Sequence, residues 1–395
     1  LFDLEHALIP VIMDMEREGI LIDLDYIDDL QKRVIKRQRK LTDHIYKVVG
    51  KPIDIGSSKQ LGDYFYYRLG IGGATEKEKQ KNIPTTESGR LSTGEKALKG
   101  IKHPEGSVVA QAVLKWRELE KINNTYLRSY LKLEHKGRIH ARWNACGTIT
   151  GRFSGSDPNL MNIPKDDKIR RIFVPDTEFI DMDFSQIELK LMAHASGQNN
   201  MINAFVEGQD LHSYTAAQIL NKPIEQIDKD GNERKVAKAI NFGVIYGIGT
   251  RGLAELAGIP VRAAGKYLNV YWESYPNIKN YFDRQKTFAE ENGYVKTMFG
   301  RHIPVKDRFY AAPNYIIQGT AGDIIKLSLF KTWKYAKSVG GSLRNTIHDQ
   351  ILFDNMDVSH AQPIKEIMED YTFSMPVTVD VKTSKKSWGD LYDDD

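Results

Sequence analysis

The feature that most constrains this 395-residue chain is a set of four side chains recurring every four residues, Arg234, Lys238, Phe242 and Tyr246. A helix turns about 100° per residue, so this spacing predicts one helix over residues 234–247 carrying a slowly winding stripe about 18 Å long. The order along it is cation, cation, aromatic, aromatic. A nucleoside triphosphate laid along the helix would meet it in that order, with phosphates on the two cations, the sugar or base edge against Phe242 and a templating base near Tyr246. Gly243 and Gly247 are expected to leave room for close approach. Val236, Ile240 and Val244 supply a buried face. An ordinary amphipathic helix needs those three, but it has no use for aromatics that continue a charged stripe. The run Gly247-Ile248-Gly249-Thr250-Arg251-Gly252 matches G-x-G-x-x-G, yet it follows a helix instead of a strand and is not a dinucleotide fingerprint.

Two acids extend the reading. Residues 179–183 read as a strand and residues 186–195 as a helix ending at Gly197, so Asp183 sits where a strand hands over to a helix and is placed to project. In residues 345–353, Ile347, Ile351 and Phe353 surround His348-Asp349-Gln350, a pattern that fits a hairpin tip with Asp349 exposed. An Asp at a strand end is common turn chemistry. Two of them on neighbouring strand ends, beside a phosphate-binding stripe, are what a phosphoryl-transfer site holding two Mg²⁺ roughly 4 Å apart requires.

The remainder of the chain reads as α+β. Leu4, Leu8, Val11, Ile12 and Met15 mark a first helix broken at Gly19, and residues 23–48 mark a second. That second helix carries Lys32, Arg33, Lys36, Arg37, Arg39 and Lys40 without an intervening acid, and Lys32, Lys36 and Lys40 share one face. By itself such a run is a solvated face or a phosphate-tracking stripe. Ser57 with Gln60 and Ser92 with Glu95 read as capping boxes that start helices near Ser58 and Thr93. Residues 70–87 lack periodicity and read as a mobile loop. Strands are expected over 138–143 and 178–183, helices over 186–291, and strands again over 291–303, 342–353 and 376–381.

Composition sets the limits. A 41% hydrophobic and 27% charged chain is globular, and this length exceeds what one core usually fills, so two or three subdomains are expected. Disordered and collagen-like classes are excluded. No apolar run approaches the roughly 20 residues that span a bilayer, so no membrane association is expected. The formal net charge of +4 is only mildly basic. Cys146 is the single cysteine, which rules out an internal disulfide framework or a multi-cysteine zinc site and fits a reducing, cytosolic compartment. The chain opens on Leu1 with no signal segment, as a domain cut from something longer would.

At this point the residues resemble a known family. Asp183-Phe184-Ser185-Gln186-Ile187-Glu188-Leu189 resembles motif A of the family A DNA polymerases, the bacterial polymerase I type; residues 234–247 resemble motif B on the helix of the fingers, and His348-Asp349-Gln350 resembles motif C. Thr150-Gly151-Arg152-Phe153-Ser154 with Asp157-Pro158-Asn159-Leu160, Gln318-Gly319-Thr320-Ala321 and the ending around Trp388 extend the similarity over essentially the whole chain.

The resemblance implies a right-hand polymerase fold with an antiparallel palm sheet, helical fingers and a helical thumb. Residues 1–25, 119–199 and 305–395 would be palm, 26–118 thumb and 200–304 fingers. It implies template-directed extension of a primer 3′ end with dNTPs, Asp183 and Asp349 as ligands of two Mg²⁺ with Mn²⁺ as a substitute, and Arg234 and Lys238 neutralising the triphosphate. His212 matches a phosphate-contacting histidine, and Gln186 of motif A joins the dNTP site. Glu188 matches the ribose gate, filling the space of a 2′-hydroxyl and bonding Tyr246; Phe242 matches the version that discriminates against dideoxynucleotides. Arg152, Asn314 and Gln318 match positions that test base-pair shape through minor-groove acceptors, with His348 at the primer terminus. Lys32, Lys36 and Lys40 become thumb contacts with duplex phosphates. The implied partners are primer-template DNA and dNTPs, for a monomer whose exonuclease or processivity factor, where one is used, is separate. The implied location is the cytoplasm at the nucleoid, the host cytoplasm for a viral chain, or an organelle after removal of a transit segment.

Two positions depart from the family pattern. Motif C usually reads His-Asp-Glu, whereas Gln350 stands here, and Tyr310 stands where many members have Arg. No segment resembles the proofreading exonuclease or the 5′ nuclease, so neither activity is expected of this chain. A single-subunit RNA polymerase would need a small residue in place of Glu188. A silent nucleic-acid-binding hand has only Gln350 in its favour.

Overall fold

The computed structural model describes residues 1–164 and 167–392. The chain divides into two compact units, Ile22–Gly137 and Leu1–Leu21 with Arg138–Asp395. Helices of ten residues or more among the described residues are α1 (Phe2–Glu18), α2 (Leu24–Val49), α3 (Pro104–Lys121), α4 (Ile187–Ser196), α5 (Leu211–Leu220), α6 (Asn232–Ile245), α7 (Val261–Ser274), α8 (Pro276–Asn292) and α9 (Ala312–Ser338). Strands of five residues or more are β1 (Phe179–Phe184), β2 (Ser342–Ile347), β3 (Gln350–Asp354) and β4 (Val379–Ser384). None of the helices is long and apolar enough to cross a membrane.

In the Ile22–Gly137 unit, Asp23 caps α2 by accepting a 2.8 Å bond from the Tyr26 amide, and Gly50 ends it at φ 78°. Ile27, Leu30, Val34, Ile45 and Val49 recur at helix-face spacing and are buried, α2 packing against α3 around a core that includes Leu61, Phe65, Val109 and Val113. On its outer face Lys32 pairs with Asp28 at 2.5 Å and Arg33 with Asp29 at 2.9 Å, while Lys36 and Lys40 are exposed. The acids stand one turn before the basic run, so its first two cations are already paired.

Three expectations for this unit need correction. Residues 70–87 are not simply a loop: Glu76–Asn82 is helical, and Thr75 with Glu78 forms a complete capping box. Glycines at 70, 72 and 73 hide the signal by breaking the periodicity just before it. Ser92 does not cap a helix at Thr93. Its hydroxyl accepts from the Gly94 amide in a tight local turn, and the helix Glu95–Lys99 starts after Gly94. At Ser57 the cap forms, but the Gln60 side chain accepts from the Asp54 amide in place of closing the box.

The second unit is built on one antiparallel sheet in the order β4-β1-β3-β2. The central strand β1 is buried almost throughout, as a strand covered on both faces should be. Asp183 lies opposite Gln350 on β3 and Asp380 on β4. Between β3 and β2 the register shifts: Leu352 faces Asn345 and Phe353 faces Leu343, so Arg344 is left over as a bulge. Its buried guanidinium donates to Gly19 O at 3.1 Å and to Asp176 Oδ2 at 2.5 Å. Helix α9 is buried around most of its circumference, and a second buried ion network ties it to α1. There Lys326 Nζ lies 2.6 Å from Glu5, Arg301 lies 2.5 Å from Glu5, and Arg301 lies 2.7 Å from Asp323. The strand expected over 291–303 is a hairpin, Tyr294–Lys296 with His302–Pro304, because α8 runs on to Asn292 before Gly293 stops it at φ 73°.

Candidate active site

The site begins at one end of the sheet. After β1 the chain turns through Gln186, whose left-handed φ of 53° lets α4 start at once. Across from it, β2 and β3 are joined by the two-residue turn His348-Asp349, with His348 at φ 54° as the first position of a primed hairpin turn requires. The Phe184 amide donates to Asp349 O at 3.1 Å and fastens the two turns together. This bond draws the hairpin tip inward, so Asp349 is half-buried and not exposed as its sequence context suggests. Asp183 is half-buried too. Both acids line one cavity of about 300 Å³, together with Asn162, Arg170, His348 and Tyr392.

Beneath them lies a cluster that sequence reading missed. Asp181, two residues before Asp183 and therefore on the same strand face, is buried, and its Oδ2 accepts from Gln350 Nε2 at 2.5 Å and from the Tyr392 hydroxyl at 3.1 Å. Burial, and after it the charge of Asp183, push the Asp181 carboxyl up to about 7 despite those two bonds. The Arg170 guanidinium is wedged between the rings of Trp388 and Tyr392, 4.7 and 4.5 Å from their centres. The period-two spacing of 181 and 183 was a usable signal.

The stripe lies on α6, which ends at Ile245, so Tyr246 stands just beyond the helix. Arg234 is already engaged: its Nε and Nη2 donate to the two oxygens of Asp210 at 2.7 and 3.0 Å. Asp210 also caps α5, accepting from the Ser213 amide at 2.8 Å. Burial alone would raise Asp210, but the Arg234 and Ser213 bonds outweigh it and hold the carboxyl well below the usual range. Asp210 is a further residue the sequence reading did not assign.

His212 is buried, and desolvation with the nearby Arg234 and Lys238 charges brings it down to about 4 against the pull of Asp210. Asn241 Nδ2 lies 3.1 Å from its Nδ1, so the neutral ring accepts there and carries its proton on Nε2. Lys238 is exposed, and Phe242 is half-buried 5.6 Å from the His212 ring. Gly243 does not leave space for a ligand, because a side chain there would collide with Ile248, which fills the gap.

Glu188 joins the stripe to the rest of the site. The Tyr246 hydroxyl donates to Glu188 Oε2 at 3.1 Å, and Arg152 Nη2 donates to Glu188 Oε1. Arg152 Nε donates to Gln318 O on α9 at 3.2 Å. Gln318 and Asn314 share one face of α9, and the Asn314 and Gln186 side-chain oxygens are buried without hydrogen-bond partners. His348 is exposed at the turn. Lys32, Lys36 and Lys40 lie on α2 in the Ile22–Gly137 unit. Among the described residues no cluster of three or more His, Cys, Asp or Glu side chains is arranged to hold a metal.

Comparison with known proteins fits this arrangement. The family described as DNA polymerase family A matches residues 24–390. "DNA polymerase I" of Rhizobium leguminosarum is 34% identical, covering 98% of this chain and 40% of the relative, and "DNA polymerase I, thermostable" of Thermus aquaticus is 32% identical, covering 96% and 47%. The chain thus spans a little under half the length of these relatives. Among solved structures, the "POL domain of Pol1 from M. smegmatis complex with DNA primer-template and dNTP" superposes with a TM-score of 0.87 at 28% identity, covering 98% of this chain and 70% of that one. The fold is therefore α+β of the right-hand polymerase type, and the chain belongs to DNA polymerase family A.

Proposed function

We propose that this chain is a template-directed, DNA-dependent DNA polymerase that extends a primer 3′ end with dNTPs by two-metal-ion nucleotidyl transfer. The observation that carries the reading is the pair of half-buried carboxylates, Asp183 and Asp349, on fastened turns of adjacent strands and lining one cavity. Their hard oxygen donors suit Mg²⁺, which keeps waters and substrate phosphate oxygens around itself and needs no cage of three protein ligands. Asp183 and Asp349 would hold the ions, with Mn²⁺ an acceptable substitute. When bound, the ions lower the charge on the triphosphate and favour attack by the primer 3′-hydroxyl on the α-phosphorus, releasing pyrophosphate.

The chain's own residues do the positioning. Lys238 and Arg234 would meet the β- and γ-phosphates, Arg234 by sharing or exchanging Asp210 for phosphate oxygens, and His212 would offer its Nε2 proton to a phosphate oxygen. Phe242 would support the sugar. The hydrogen bond between Tyr246 and Glu188 supports a barrier where a ribose 2′-hydroxyl would lie. Gln186 would line the dNTP site. Arg152, Gln318, Asn314 and His348 would face the primer end, where donors to purine N3 and pyrimidine O2 test the pair without reading sequence. Lys32, Lys36 and Lys40 would track duplex phosphates. In this reading residues 1–25, 119–199 and 305–395 are palm, 26–118 thumb and 200–304 fingers; the compact unit Ile22–Gly137 contains the thumb range and also takes in 22–25 and 119–137, which this reading gives to the palm. No 3′→5′ excision is assigned to this chain.

The test is extension of a labelled primer on a DNA template with Mg²⁺, dNTPs and rNTPs being supplied in parallel reactions. Extension with dNTPs alone, lost in Asp349→Ala, and a mismatched terminus that is never trimmed are the expected results. Tight primer-template binding without extension would instead make the chain a silent hand, and equal use of rNTPs would point to an RNA polymerase.

A further inference from the structure

The cluster beneath the catalytic acids has a chemistry of its own, and the inference from it rests on the polymerase reading above. Gln350 is directly opposite Asp183 in the sheet, and Asp181 and Asp183 share a strand face, so the three side chains converge. The Gln350 amide is buried, and both hydrogens of its Nε2 are engaged, one by Asp181 Oδ2 at 2.5 Å and the other by the Tyr392 hydroxyl. Tyr392 donates onward to the same Asp181 oxygen at 3.1 Å. In its ionised form the Asp181 carboxyl can only accept, and the Gln350 and Tyr392 donors suit that form. The layer under the metal ligands therefore holds one acid, on β1, and one amide, on β3. A glutamate at 350 would put a second carboxyl at hydrogen-bond distance from Asp181 in a dry site beside Asp183, where the two must either hold a proton between them or stand acceptor against acceptor, and either is far more costly than at the surface.

We propose that Asp181 is a positioning residue for Asp183 and Asp349 and that Gln350 is the amide matched to it, so that the two work only as an acid–amide pair. Substituting the family's usual glutamate at 350 would disable this chain, and exchanging acid and amide across the strands would restore it. The swapped pair, Asn at 181 and Glu at 350, again offers one donor and one acceptor and retains a single carboxylate in the layer. The swap leaves Asp183 and Asp349 themselves unsubstituted.

The experiment compares the purified parent chain with D181N, Q350E and D181N/Q350E. Five quantities are measured: kcat and KM for dNTP in primer extension, the Mg²⁺ concentration giving half-maximal rate, the metal-free Kd for primer-template, and the urea midpoint. In line with outer-shell partners of metal ligands elsewhere, Q350E is expected to lower kcat about ten- to a hundredfold and to raise the half-maximal Mg²⁺ concentration, with primer-template Kd unchanged. D181N moves the same quantities in the same direction. The double variant returns to within about threefold of the parent, a coupling that independent sites would not show. A merely structural role would shift the urea midpoint and leave the Mg²⁺ dependence alone.

Q350E matching or exceeding the parent, a double variant no better than the poorer single one, or one Mg²⁺ dependence shared by all four chains would each overturn the pairing. If Q350E does not fold, folding of the double variant is the expected rescue and its failure to fold counts against the pairing. A parent that extends no primer sinks the polymerase reading instead. The pairing is then judged by Mn²⁺ titration followed by electron paramagnetic resonance, where Q350E should bind more weakly than both the parent and the double variant, and equal binding by all would overturn it.

Discussion

The two compact units handle charge in opposite ways. In Ile22–Gly137 the pairs Asp28–Lys32, Asp29–Arg33 and Glu95–Lys99 are one helical turn apart and lie in solvent over an apolar core. In the unit that carries the sheet, Lys326 and Asp323 have wholly buried side chains, Arg344 is nearly so, and their partners come from distant parts of the sequence. Solvent and salt screen the first kind of pair until it contributes little. The second kind is conditional: it adds little over an apolar core while intact, but losing one partner strands the other charge without water. The catalytic candidates stand in the unit where charges depend on one another.

The sharpest test of this contrast is Glu5→Ala, which leaves the buried Lys326 ammonium without its carboxylate. Urea unfolding should show a loss of about 3–5 kcal/mol, and a loss no larger than that of a surface substitution would end the comparison. Next comes Glu188→Ala. It frees Arg152 and Tyr246 together and opens the sugar site, so the preference for dNTPs over rNTPs, measured as a ratio of kcat/KM values, should fall about a hundredfold. An unchanged ratio would remove Glu188 from sugar selection.

His212 supplies a pH-dependent version. Burial, helped by Arg234 and Lys238 and opposed by Asp210, holds it near 4 in the folded chain, below the ordinary value of about 6.5 expected when unfolded. Between those values the unfolded chain binds the proton more readily, so the associated stability is full above about pH 6.5 and drains away toward pH 4, by about 2–3 kcal/mol. His212→Gln should flatten that part of the curve, whereas identical acid sensitivity in both chains would contradict it. At the small end, Asp29→Ala should leave the urea midpoint of the Ile22–Gly137 unit where it was. Removing Lys36 and Lys40 together should act on binding alone, lowering the slope of log affinity for primer-template against log salt by about two.

More of the candidate site than of its supports was legible in the sequence. Asp183, Asp349 and the Arg234–Tyr246 stripe stood out as candidates because each proposed chemistry demands particular residue types at a local spacing of strand end, hairpin tip or helical turn. The strands over 179–184 and 342–354 were legible from their alternation, and α2 from its cap and apolar face. Asp210 was not, although it stands beside His212, because nothing local says that its carboxylate meets a guanidinium on another helix. Asp181 and Tyr392 were hidden more deeply, since Gln350 lies 169 residues from the first and 42 from the second. In the Ile22–Gly137 unit the error ran the other way: Thr75 and Glu78 spelled out a cap that was local and complete, but the glycines before it drew the reading toward a loop.

The bulge at Arg344 has a mechanical meaning. At the end of the sheet bearing Asp183 and Asp349, β1, β3 and β2 pair residue for residue, and a slip of one there would turn every side chain to the wrong face. The one irregularity between β2 and β3 falls at the opposite end, past Leu352, where Arg344 clamps it to Asp176 and the Gly19 carbonyl. It works as an expansion joint. Changes of length or packing in the segments that meet the far end of the sheet can be absorbed there, so the chain can vary behind the site without shifting the gauge at which its two acids are set.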